Sequence, residues 1–207
     1  MKSVKYIAFL FGILLLSACG LAPKSAVHNT NLKASKNSVI VIGKIEVSPK
    51  IVDVKRTKST YADFVGVGKY INKPIIYINS KREVRNPEVS LAGALTKRAR
   101  FIEAEWGKTF SVSLPAQKTY VNWVSMYLPS YSAPGAPISI HFPGGYVFDG
   151  TKSSEAIYIG TLKYHKDEFD TIKKVEVIDE WEKTKRELSL NNKSLPKIHK
   201  SLLKPVR

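Results

Sequence analysis

The stretch Thr109-Phe110-Ser111-Val112-Ser113-Leu114-Pro115-Ala116-Gln117-Lys118-Thr119-Tyr120-Val121-Asn122-Trp123-Val124-Ser125-Met126-Tyr127-Leu128 sets the fold class. Phe110, Val112 and Leu114 alternate with Thr109, Ser111 and Ser113, the period of a strand with one dry face and one wet face. Pro115 to Lys118 forms a turn, and Thr119 to Leu128 returns as an aromatic-rich strand. Strands of this kind each have an apolar face that a second sheet must cover.

The same texture recurs on both sides of this hairpin. Val39-Ile40-Val41-Ile42-Gly43-Lys44-Ile45-Glu46-Val47 is β-branched and ends at Ser48-Pro49; Ile51 to Val54, a short piece at Phe64 to Val67, and Ile75 to Ile78 between Pro74 and Asn79-Ser80 follow. Downstream lie Ile138 to Phe142, Tyr146 to Phe148, Ala156 to Tyr164 and Val175 to Ile178. Repeated short strands at this spacing predict a mainly β chain built as one β-sandwich. Helical spacing is confined to three places. Glu88 to Arg100 has a partial stripe interrupted by Gly93. Asp179 starts a helix through about Leu190, with Trp181, Lys185 and Leu188 in register and Asn191-Asn192 as its stop. Pro196 to Leu203 reads as a further short helix, with Ile198, Leu202 and Leu203 on one side.

The first residues are of another kind. Lys2 and Lys5 precede the apolar run Tyr6 to Leu16, and Ser17 and Ala18 lead into Cys19, the pattern of a secretory signal. Eleven residues of helix span about 17 Å, roughly half a bilayer core, too short for a permanent anchor. Leu16-Ser17-Ala18-Cys19 resembles the lipobox of bacterial lipoproteins, which implies cleavage before Cys19, acylation there and attachment to a membrane through lipid. Gly20 stands where an Asp would favour inner-membrane retention in Gram-negative lipoproteins, so the resemblance implies the outer membrane, facing the periplasm. Cys19 is the only cysteine, so an exported chain has no internal disulfide.

The expected organisation is a signal peptide over 1–18, a lipidated flexible tether over 19–38, a sandwich with a C-terminal helix over 39–190, and a basic tail over 191–207. The tether reading rests on Ala, Ser, Asn and Lys without apolar periodicity. At 207 residues and 43% hydrophobic content, collagen, coiled coil, disulfide miniprotein and polytopic membrane protein are excluded.

Charge is unevenly placed. Without Lys2 and Lys5 the chain has 31 basic and 17 acidic side chains, a net of +14. Residues 24–100 carry 16 basic and 5 acidic, 101–182 carry 7 and 11, and 183–207 carry 8 and 1. In an exported protein the basic flanks point away from nucleic acid and toward anionic lipid, lipopolysaccharide or peptidoglycan. Lys183, Lys185, Arg186, Lys193, Lys197, Lys200, Lys204 and Arg207 are the candidates for such a surface, the alternative being a solvated end.

No motif indicates catalysis, a metal or a cofactor. Gly66-Val67-Gly68-Lys69 fails as a phosphate loop because Asp63 and Tyr70 occupy positions that require Gly and Ser or Thr. The chain has neither a G-x-S-x-G elbow nor an H-E-x-x-H pair. His28, His141, His165 and His199 are scattered, and Asp149-Gly150 reads as a turn. Tyr120, Trp123, Tyr127, Tyr131 and Tyr146 form a candidate contact surface, against the plainer alternative of cross-strand packing.

Tyr158-Ile159-Gly160-Thr161-Leu162, Asp167-Glu168-Phe169 and Val175-Glu176-Val177-Ile178-Asp179-Glu180 together resemble the C-terminal part of small bacterial lipoproteins with a transthyretin-like, Ig-like β-sandwich. The resemblance spans about residues 105 to 190, rests on strand texture, and implies a binding or assembly module. Three functions are therefore expected in order: a lipid-anchored, non-enzymatic module that docks an envelope protein, a binder of anionic envelope polymers or lipids through the basic flanks, and an envelope hydrolase using His141, Asp149 and His165.

Overall fold

A computed structural model describes residues 24–51, 70–83, 100–128, 138–151, 155–192 and 195–206. The chain is a β-sandwich of two six-stranded sheets with one helix on an outer face. Its strands are β1 (Lys24–Ser25), β2 (Val27–His28), β3 (Ser38–Ser48), β4 (Ile75–Asn79), β5 (Arg100–Glu103), β6 (Thr109–Pro115), β7 (Lys118–Leu128), β8 (Ile138–Asp149), β9 (Ala156–Lys166), β10 (Ile172–Ile178), β11 (Ile198–Lys200) and β12 (Lys204–Pro205); the helix α1 is Trp181–Asn191. The first sheet runs β1-β5-β4-β7-β8-β12. The second runs β10-β9-β3-β6-β2, with β11 also paired to β9.

The alternation in β6 and β7 does what the sequence requires. Phe110, Val112 and Leu114 face Val121, Val124 and Met126 across the sandwich in one core, joined by Val39, Val41 and Ile45 of β3 and Ile157, Ile159 and Leu162 of β9. Each such side chain contributes about 1.5–3 kcal/mol when fully buried. Tyr164 lies inside this core and donates its hydroxyl to the Pro143 carbonyl at 2.8 Å, tying β9 to the opposite sheet. The pieces 138–142 and 146–148 form one strand, β8, with a register shift where Asn122 bulges between Val121 and Trp123. Gly144 lies against this bulge, where a Cβ would stand 2.0 Å from the Asn122 carbonyl oxygen, so only glycine fits.

β3 is buried on both faces because its outer side lies under α1. Ile40, Ile42, Tyr158 and Leu188 make a second core there with Leu32, and Trp181 packs on Tyr158 at 5.3 Å. Asp179 accepts the Trp181 N–H at 3.1 Å at the start of α1, and Asn192 donates to the Leu188 carbonyl at 3.0 Å at its end. β3 pairs with β9 in parallel, and Gly160, at φ +90°, takes up an extra residue between the Ile42–Tyr158 and Lys44–Thr161 pairs. That bulge keeps Ile159 and Leu162 both pointing inward.

The two chain ends depart from expectation. Residues 24–38, read as tether from composition, fold onto the sandwich: β1 joins β5 in the first sheet, β2 joins β6 in the second, and Ala26 and Leu32 are buried. Pro196 to Leu203 is not a helix. β11 joins β9 in the second sheet, Leu203 plugs the core, and β12 joins β8 in the first. The apparent helical spacing arose because a chain crossing between sheets sends Ile198 and Leu202 to the outer cluster and Leu203 to the inner one. Each side of the sandwich thereby gains a terminal segment that pairs with its edge strand over two or three residues. The strand expected at 64–67, nearly all of the one at 51–54 and the helix expected over 88–100 fall outside the described residues, save that Arg100 opens β5.

Candidate interaction surface

The outer faces of the two sheets differ in chemistry. On the first sheet, the Asn122 bulge reverses the alternation so that Val121 and Val124 point inward while Trp123 points outward. Asn122 is itself held, donating to the Lys81 carbonyl at 3.3 Å and accepting the Glu83 N–H at 3.1 Å. Register then aligns Phe101, Tyr77 and Trp123 across β5, β4 and β7. Tyr77 stacks on Trp123 with ring centroids 5.0 Å apart, Phe101 lies 6.4 Å from Tyr77, and Tyr70 meets Phe101 edge-on at 6.0 Å. Tyr127 completes the group beside Tyr77.

This makes a ridge of five rings in which Phe101 is buried and the other four are half-buried. Burial first, and then the neighbouring Tyr77 and Tyr70, raise the Tyr127 phenol above its ordinary value of 10.0, so it stays neutral and able to donate at neutral pH. Tyr70 donates to Glu103 at 3.3 Å. His141, opposite Ser125 on the same sheet, contacts the Ser139 hydroxyl at 3.3 Å, and burial lowers its pKa, which favours the neutral ring. The ridge offers flat apolar faces rimmed by neutral hydroxyls, suited to stacking and hydrogen bonding.

On the second sheet α1 occupies the corresponding position. Lys44, its side chain fully buried, donates to Glu187 at 3.1 Å, and Glu180 lies 3.9 Å away. Thr109 donates to the other Glu187 oxygen, and Thr161 donates to Glu180 at 2.8 Å. Burial pushes both carboxyls up, but these hydroxyls with Lys44 and Lys183 outweigh it and hold both below the ordinary 4.5. This arrangement straps the helix to the sheet.

The residues singled out from sequence are only partly gathered. Trp123 and Tyr127 belong to the ridge, Tyr120 lies further along β7, and Tyr146 packs against the inner core; Tyr131 is outside the described residues. Tyr70, Tyr77 and Phe101 were missed, because nothing in the sequence announces that their strands flank β7. The C-terminal cations are dispersed: Lys183 pairs with Glu180 at 3.3 Å and Lys200 with Asp179 at 2.8 Å, while Lys185, Arg186, Lys197 and Lys204 are exposed on α1, before β11 and in β12. Lys193, Arg207 and Cys19 lie outside the described residues. His141 and Asp149 belong to the first sheet, whereas His165 sits on β9 of the second, 2.6 Å from Glu176, so the three form no common constellation. Among the described residues no three His, Cys, Asp or Glu side chains are grouped as metal ligands. Against family models, curated proteins and solved structures the chain finds no match.

Proposed function

We propose that this protein is a non-enzymatic docking module, held to the outer membrane by lipid on Cys19 and binding an envelope protein through the aromatic ridge. The observation that carries the reading is the ridge of Tyr70, Tyr77, Phe101, Trp123 and Tyr127 on an outer sheet face that no described helix covers. Half-buried Trp and Tyr side chains in a preformed cluster are the residue types that dominate protein interfaces, because they bury large area at low entropic cost. The dispersal of the C-terminal cations gives less support to a single anionic-polymer site built from them.

Photo-crosslinking in cells tests the reading. A photoreactive residue at Trp123 should yield discrete protein adducts, and one at Lys174, on the opposite sheet, should not. Equal adduct patterns from both positions, or none from Trp123, would count against the ridge as the docking face.

A further inference from the structure

Cations from five separate segments collect at one end of the sandwich. Register places Arg100 opposite Ile78 and opposite the first residue of β1, and Lys118 opposite Asp149. Lys81 follows β4 by two residues, Lys36 precedes Asn37, whose carbonyl accepts the Ala116 N–H of the β6–β7 turn, and Lys197 precedes Ile198, which pairs with the first residue of β9. All five are exposed, and among the described residues none enters an ion pair. Three carboxylates lie near them and keep their charge, Glu83 accepting from Asn79, Asp149 accepting the Thr151 N–H and Glu155 lying 3.1 Å from His199, so the five cations are in excess. At the opposite end Lys108, Lys166 and Lys173 pair with Glu105, Asp170 and Asp167, and the exposed Lys50 and Lys73 line one hollow with Glu46 and Glu105.

The chain enters the fold at the basic end. β1 begins at Lys24, only five residues after Cys19, a span of at most about 18 Å when fully extended. We infer that the end formed by Lys36, Lys81, Arg100, Lys118 and Lys197 is the membrane-facing end, lying on the anionic headgroups of the bilayer to which Cys19 is attached. This inference rests on the lipid anchoring proposed above. The linker confines that end to within a few Debye lengths of the surface, where an excess of exposed cations is attracted and an end with matched charges is drawn less. The strands then run along the membrane normal, with the aromatic ridge turned sideways toward a neighbour.

The acylated full chain carries no other cysteine, so one introduced thiol can be labelled selectively. Fluorophores at Ser80→Cys, on the basic end, and Phe169→Cys, on the opposite end, are compared in vesicles of phosphatidylethanolamine with one-fifth phosphatidylglycerol and a headgroup quencher. Quenching should be strong at residue 80, weak at 169, and reduced at 80 by high salt or by the triple variant Lys36→Glu, Lys81→Glu, Lys118→Glu. Equal quenching at both ends in protein that still floats with vesicles would overturn the orientation and leave the anchoring intact. Protein that lacks acyl mass and does not float would overturn the anchoring, and the orientation with it.

Discussion

The two outer faces of the sandwich are built from the same kind of strands and finished differently. The face of β9, β3 and β6 is closed by α1, held over a buried lysine by two glutamates, and its apolar residues serve stability. The face of β5, β4 and β7 ends in half-buried rings with hydroxyl rims. A covered face fixes where its residues sit, and a face left with aromatic area retains free energy for a partner. The contrast can be broken on either side.

The largest effect is expected from the helix strap. Glu187→Ala leaves the Lys44 ammonium buried with only Glu180 at 3.9 Å and should destabilise by roughly 3–5 kcal/mol in a denaturant titration. Lys44→Met removes the buried charge and leaves Glu187, whose side chain is 37% exposed, able to hydrate, so its cost should be about 1 kcal/mol or less. Equal costs for the two variants would mean that the pair acts through packing alone.

The next effect is expected beneath that face, at the bulge. Gly160→Ala places a Cβ 3.1 Å from Val177 and 3.2 Å from the Ile178 carbonyl oxygen at a positive φ. Adopting the left-handed region costs an alanine about 1–2 kcal/mol before any contact is counted, and thermal unfolding should show a drop of that order. An unchanged midpoint would show that β9 can shift its register without the bulge.

How much of this contrast is legible from the chain depends on the range of the interactions that make it. The alternation of Thr109 to Leu114, the β-branched run from Val39 and the Asp179 and Asn192 side chains that bond the ends of α1 are local, and each announces its element. The parallel pairing of β3 with β9 and the short strands at 24–28 and 198–205 depend on partners tens of residues away. A two-residue strand carries no period to read. The aromatic ridge joins Tyr77 to Trp123 through a bulge at Asn122 that reverses the alternation, so sequence spacing identified Trp123 and Tyr127 and left their neighbours unmarked.

Acid should loosen the covered face. Glu180 and Glu187 have folded pKa values below the ordinary 4.5, so the unfolded chain binds their protons first as pH falls. Their contribution is fully present above about pH 4.5 and is lost as pH drops through the lower folded values. Wild type should lose stability over that window by more than Glu187→Gln does, and identical slopes would remove the strap from the explanation of acid sensitivity.

The most selective functional effect is expected at Trp123. Its ring stacks on Tyr77 at 5.0 Å while remaining half-exposed, so Trp123→Ala should cost about 0.5–1.5 kcal/mol in folding for the lost pair, beyond the area it uncovers. A docking face concentrates its binding energy in a few such aromatics, and truncating one there typically weakens a complex by 2 kcal/mol or more, about thirtyfold in affinity. Pull-down yield should therefore fall steeply for Trp123→Ala and scarcely for Gly160→Ala, although both variants lose stability. If capture instead tracks thermal stability across the two variants, the rings belong to the fold in the same sense as Lys44, and the two faces differ in degree of burial without differing in purpose.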